Sequence, residues 1–253
     1  MFRVSCPHGV FAVSLILAVT LAAGVIPGRA DKNAGEKLDL IWTHPDYATL
    51  GPSSIAFMPV VSYNSDLPTE HVAEDAAAAA FKSLTYRWIS PRTALVLLGA
   101  HPDADSVWKV QRQSLLKTGR ADSLAAPILC AALRTRALLC FRVDQLEKRD
   151  LQWDESGKPS TSVAAHAALV DSTGRVLWRA SGSEIGEGAL QDPNNESVTG
   201  VRASGLTNAP VTGTGRAPEP SEVFGRLFAR WADRFPPPPA KPAATPATTP
   251  AAR

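Results

Sequence analysis

Apolar and polar positions change period several times along this chain, and each change marks an element. Ser54 to Val61 (Ser-Ile-Ala-Phe-Met-Pro-Val-Val) is a short continuous apolar run. That is the pattern of a strand buried on both faces, closed off by Pro59 and the polar loop after it. Thr69 is then placed to cap a helix, with Val72, Ala73, Ala76, Ala77, Ala80, Phe81, Leu84 and Trp88 on one face and Glu74, Asp75 and Lys82 outside that stripe. Such a helix packs on a sheet. Thr93 to Leu98 reads as a second strand, and Pro102-Asp103-Ala104-Asp105 as the entry to helical sequence that runs to about Leu133 with a break near Gly119.

Leu138 to Leu146 alternates as a third strand, with Leu139, Phe141 and Val143 on one face and Cys140, Arg142 and Asp144 on the other. A hairpin follows. Val163, Ala165, Ala167 and Leu169 share a face that excludes His166, and beyond the turn Val176, Trp178 and Ala180 alternate with Leu177, Arg179 and Ser181. Between the two runs, Asp171 is placed to accept from the backbone two residues on, and Gly174 to supply the positive φ of a type I turn with a bulge. Trp178 is thereby a packing residue. Finally, Ser221 can cap a helix whose Val223, Phe224, Leu227, Phe228, Trp231 and Phe235 form one apolar stripe that closes the core.

Strands alternating with amphipathic helices predict an α/β class, a mixed sheet packed with helices in a single domain. The assigned ranges are 1–30 for a signal peptide, 31–53 for an N-terminal extension, 54–235 for the α/β domain and 236–253 for a tail. Within the domain, 186–216 is a loop rich in Gly, Asn, Thr and Pro.

The signal assignment rests on Arg3, an uncharged run from Gly9 to Ile26, the breakers Pro27 and Gly28, and the small residue Ala30. Cleavage after Ala30 would start the mature chain at Asp31. The run is also close to the length of a spanning helix, so an uncleaved anchor is the alternative. In either case the rest of the chain is expected to be exported, to the periplasm or cell envelope. The segment from Phe235 to Arg253 is mostly Pro, Ala and Thr and buries too little to repay ordering.

Charge then removes one class of function. Residues 1–30 hold Arg3 and Arg29 and no acid, so the remaining Lys and Arg balance the 24 Asp and Glu. Nucleic acid, which needs a concentrated basic surface, is not an expected partner. Contact with the membrane is expected only if the N-terminal segment stays uncleaved.

The spacings of common catalytic motifs do not occur. His-Glu-x-x-His, Cys-x-x-Cys, Gly-x-Ser-x-Gly and the phosphate loop are all missing from the sequence. His101 beside Asp103 and Asp105 is the best enzyme-like fragment, since it could bind a cation, but an acid-rich helix start explains it. "SGSEIGEG" and "GTGR" follow no strand-to-helix entry and make weak phosphate cradles. No catalytic, cofactor-binding or metal residues are assigned. Cys130 and Cys140 could be bridged in an exported protein, yet Ile128, Leu129, Ala132 and Leu133 define a buried helix face that turns Cys130 away from the sheet.

Several of these stretches carry a resemblance: "SIAFMPVVSYNSD" before an amphipathic helix, the helix into "ALRTRALLCFRVDQLE", and "LVDSTGRVLWRASG". Together with the closing helix they resemble an exported bacterial envelope group. That group includes the curli secretion lipoprotein CsgG, the penicillin-binding-protein activator LpoB and the TolB N-terminal domain. In it an opening strand ends in proline and a hairpin of the form Asp-x-x-Thr-Gly-x-x-Leu-Trp follows, to which Asp171, Thr173 or its neighbour, Gly174, Leu177 and Trp178 correspond here, with one residue between Asp171 and Thr173 instead of two. The resemblance implies a non-enzymatic α/β domain that binds other envelope proteins. Two departures matter. The only cysteine near the N-terminus, Cys6, precedes the apolar run, so lipidation is not expected, and 186–216 lacks the alternation of a membrane barrel strand. The expected function is thus a non-enzymatic envelope accessory acting through protein–protein binding, by the 186–216 loop or a sheet edge, without a cofactor. The alternatives are a periplasmic small-ligand or lipid carrier and an acid-site metal-dependent enzyme.

Overall fold

A computed structural model describes residues 39–63, 67–152, 155–191 and 215–239. The expected signal peptide, residues 192–214 of the loop and the tail beyond 239 lie outside the described residues. In chain order the elements are β1 (Leu40–Thr43), α1 (Tyr47–Leu50), β2 (Ser54–Phe57), β3 (Val61–Ser62), α2 (Leu67–Phe81), β4 (Arg87–Ile89), α3 (Pro91–Gly99), α4 (Pro102–Thr118), α5 (Ala125–Leu133), β5 (Ala137–Arg149), β6 (Ser160–Asp171), β7 (Val176–Glu187) and α6 (Pro220–Asp233). The sheet runs β1-β7-β6-β5-β2-β4, with β3 continuing beside β5. It is mixed: β2 is parallel to β4 and β5, whereas β5, β6, β7 and β1 pair antiparallel in turn.

Helices cover both faces, giving a three-layer α/β arrangement. From β2 the chain steps to β4 through α2, then crosses back over β2 to β5 through α3, α4 and α5. The two steps run in opposite directions, so one handedness for both crossovers places their helices on opposite faces. The strands show it residue by residue. Ile55, Phe57, Leu139 and Phe141 enter a core closed by α2 and α6, while Ala56, Met58, Leu138 and Cys140 enter a second core under α3, α4 and α5. The α6 stripe of Val223, Phe224, Leu227, Phe228, Trp231 and Phe235 is wholly buried. Its rings continue into an aromatic lattice in which Trp178 meets Phe235 at 4.8 Å and Phe57 stacks on Phe141 at 4.8 Å.

The hairpin turn follows the predicted chemistry. Asp171 Oδ1 accepts from the Thr173 amide at 2.8 Å and the Arg175 amide at 2.9 Å, and Gly174 has φ 85°. A Cβ on Gly174 would also collide with the Ser123 carbonyl oxygen, so glycine is required twice over.

Several expectations are corrected. Thr93 to Leu98 is not a strand but the body of α3. Ser90 caps it, its Oγ accepting from the Thr93 amide at 3.2 Å with Pro91 at the first helical position, and Ala94 and Leu98 are buried one turn apart. The strand lies just before, at β4, which takes Trp88 out of the preceding helix and into the sheet edge. Thr69 does not cap α2, because the helix already begins at Leu67. Glu70 pins its first turn instead, accepting from the Ser62 amide at 3.0 Å and from Arg112 at 2.8 Å.

Ser221 lies inside α6, which starts at Pro220 behind Glu219. Strict alternation after the turn also fails. A register shift at Leu169/Val170 lets Leu177 and Trp178 both enter the α2/α6 core while Val176 packs on the opposite side. Cys130 is buried on α5 beside Leu129 and Leu133, in the same core as Cys140, so the helix does not turn it away from the sheet; both thiols are free. Burial pushes each up to about 12. Finally, the N-terminal extension assigned to 31–53 supplies an edge strand, since β1 pairs with β7 from Leu40↔Ser181 to Thr43↔Trp178.

Candidate functional site

The helices α3, α4 and α5 stop short of one side of the sheet. They lie over β4, β2, the start of β5 and the turn end of the hairpin, and among the described residues no helix packs on the middle of β6, β7 and β1 on that face. Paired residues of antiparallel strands share a face, so the register gives the rows of this open surface. Trp42, Arg179 and Ala168 form one row, Leu40, Ser181, His166 and Arg142 the next, then Ser183 with Ala164, and Ile185 with Ser162. Small residues fill the middle. Larger apolar groups rim it: Leu40 is 71% exposed, Ile185 56% and Trp42 38%. The Arg179 guanidinium sits 5.2 Å above the Trp42 ring, and His44 meets that ring edge-on at 5.8 Å.

A charged cluster sits at one corner of this surface. Asp144 occupies a bulge between Val143 and Gln145 in the β5/β6 ladder. One oxygen bonds His166 Nδ1 and the other pairs with Arg142. Arg142 also donates to the carbonyls of Leu115 at 3.1 Å and Leu116 at 3.4 Å, the last turn of α4, where a cation suits the helix dipole. Burial opposes the charge on Asp144, but the hydrogen bond and charge of His166, with Arg142, outweigh it and hold the carboxyl below its ordinary range.

A second charged cluster underlies the opposite face. Arg230 of α6 grips Asp39 with Nε at 2.8 Å and Nη2 at 3.0 Å, bonds Glu184, and donates to the Ser183 carbonyl at 3.1 Å. Arg226 reaches Glu184 at 3.3 Å. Glycine makes room for both contacts, since a Cβ at 182 would collide with the Asp39 carboxylate and one at 186 would lie 2.6 Å from Arg226. "SGSEIGEG" is therefore strand β7 crossing under α6, not a phosphate cradle.

The residues singled out for cation binding stay apart from both clusters. His101 and Asp103 are exposed at the start of α4, and Asp105 pairs with Lys109 at 2.6 Å in the same helix. Among the described residues, no group of three or more His, Cys, Asp or Glu is placed to hold a metal ion. An open apolar groove of about 300 Å³ lies between α4 and α5, lined by Val107, Val110, Leu124 and Ile128 with Ser106 and Asp122 at its rim. Alternation in the sequence puts Arg142 and Asp144 on the off-core face of one strand and His166 on the off-core face of the next. What it lacks is the pairing of those strands, which brings the three together.

No protein-family model matches the chain, and no curated protein matches it. Among solved structures it is similar to the PelC dodecamer from Paraburkholderia phytofirmans, at 16% identity over 77% of this chain and 93% of that one, with a TM-score of 0.39. It is also similar to lipoprotein GNA1162 from Neisseria meningitidis, at 17% identity over 72% of this chain and 97% of that one, TM-score 0.39. A third is the hypothetical protein CT253 from Chlamydia trachomatis, at 13% identity over 72% and 94%, TM-score 0.41.

Proposed function

We propose that this chain is an exported cell-envelope accessory protein that binds other envelope proteins and works without catalysis or a cofactor. The open sheet face carries the reading. It has small residues at its centre and exposed Leu40, Trp42 and Ile185 around Arg179, the mixture of aromatic, aliphatic and arginine groups that protein interfaces favour. Export rests on the N-terminal sequence pattern, and the resemblance of the hairpin to the envelope group agrees with it. No helix among the described residues is long and apolar enough to cross a membrane.

The carrier reading has one observation in its favour, the groove between α4 and α5, whose volume is at the bottom of the range for small-molecule sites. One experiment separates the two. A photo-crosslinking residue is placed at Ser183 on the open face, and another at Val110 in the groove, in the chain expressed in its native envelope. Adducts with other envelope proteins at Ser183 are the expected result. Labelled lipid or small molecule at Val110, with no protein adduct at Ser183, would transfer the function to a carrier.

A further inference from the structure

We infer that the outer edge of β1 pairs antiparallel with the β1 of a second copy of this chain, joining two sheets into one. This inference concerns the edge of the sheet and the partner reading its face; the two share Leu40 and Trp42 at the rim, but the dimer is read by sedimentation and the partner by crosslinking at Ser183, so either can fail alone. The His44 amide donates to the Leu177 carbonyl, which fixes the alternation of the strand: Leu40, Trp42 and His44 bond inward to β7. The backbone groups of Asp39, Ile41 and Thr43 consequently point away from the sheet. Among the described residues, no backbone hydrogen bond reaches the outer side of Ile41 or Thr43.

The two edges of the sheet differ in protection. At the far edge, β4 has three residues, begins with exposed Arg87 and runs directly into Ser90-Pro91. At the near edge β1 is also short, four residues, but Leu40-Ile41-Trp42-Thr43 has no charge, no proline and no bulge, the other devices by which proteins keep edges unpaired.

The strand is also complementary to itself. In a two-fold pairing centred on Ile41, Leu40 of one copy lies against Trp42 of the other on the open face, and Asp39 lies against Thr43 on the α2/α6 face. No like charges meet, because Asp39 faces a threonine and is already held by Arg230. Exposed Leu40 and Trp42 would be covered, about six backbone hydrogen bonds would form, and the open faces of two copies would become one platform. Four residues per copy bury far less than a standard interface, so the dimer is weak and concentration-dependent.

Sedimentation of the purified exported chain, followed over a concentration series to about 0.5 mM, tests the pairing. The expected result is a reversible monomer–dimer equilibrium, with amide exchange at Ile41 and Thr43 slowing as concentration rises. Thr43→Pro removes an outward amide without touching the β7 ladder and should raise the dissociation constant at least about tenfold. Leu40→Glu and Trp42→Lys should each do the same with unchanged circular dichroism. The double variant should recover dimer, because the carboxylate introduced on one copy meets the ammonium introduced on the other across the two-fold. A wild-type chain that stays monomeric throughout, a Thr43→Pro variant that dimerises normally, or a double variant that fails to recover would each overturn the inference. Exchange at Ile41 and Thr43 keeps the test decisive if a substituted chain fails to fold.

Discussion

The two faces of the sheet are made from the same strands, yet among the described residues helices cover only one of them from edge to edge. On β6 the contrast is direct: Val163, Ala165, Ala167 and Leu169 are buried under α2 and α6, whereas Ser162, Ala164, His166 and Ala168 look the other way, and none of those four is fully buried. On β7, Trp178 and Ala180 are buried while Arg179, Ser183 and Ile185 are exposed. A one-sided antiparallel sheet tolerates this. The lesson is that alternation serves two ends here, with the α2/α6 side holding the fold together and the open side available for contact.

The sharpest way to break that comparison is to truncate one tryptophan from each side. Trp178 is fully enclosed by rings of Phe81 and Phe235, so Trp178→Ala should cost about 3–5 kcal/mol, read from the denaturant midpoint. Trp42→Ala gives up a half-open ring with its contacts to Arg179 and His44, and should cost no more than about 1 kcal/mol. Equal losses would mean that the open face is a core surface in its own right.

The charged clusters allow a second, smaller test. Glu184 is 1% exposed and held by Arg226 and Arg230, so Glu184→Gln leaves two guanidinium groups without their shared carboxylate beneath α6. Breaking a fully buried pair costs about 3–5 kcal/mol, and the partial exposure of both arginines reduces this to roughly 2 kcal/mol. Thermal unfolding of the variant measures it. An unchanged melting temperature would remove the cluster from any role in holding α6.

Much of this division was legible in the sequence. Period-2 alternation separated the two sides of β5 and β6, and the period-3.6 stripe of α6 identified its buried residues, because burial of one face imposes a repeat that needs no tertiary knowledge. The failures were of a different kind. Thr93 to Leu98 is apolar at nearly every position and has no period of its own, so only the Ser90-Pro91 cap could have identified the helix. The bulge beside Trp178 and the one at Asp144 depend on strand register, which no single strand encodes. β1 is four residues long, and its place in the sheet is set by β7, more than a hundred residues away. The open surface was hidden for the same reason: its residues are ordinary in sequence and become neighbours only through pairing.

The smallest expected effect belongs to Asp144, and its signature is in pH rather than magnitude. His166 and Arg142 hold this carboxyl below the ordinary range despite its burial. A depressed folded-state value means that the native protein binds the proton less readily than the unfolded chain. The stabilisation is therefore complete above the unfolded value of about 3.9 and is lost as pH falls through that value toward the folded one. Asp144→Asn should flatten this acid limb, making stability less pH-dependent below about pH 4 than in the unmodified chain. At neutral pH it should cost less than Glu184→Gln, because His166 is half exposed and Arg142 keeps the Leu115 and Leu116 carbonyls. Urea midpoints of the two chains at pH 7 and pH 3 provide the check. If the variant loses as much between those pH values as the parent, Asp144 is not the group that titrates, and the corner of the open face is held by the bonds from Arg142 of β5 to the end of α4 alone.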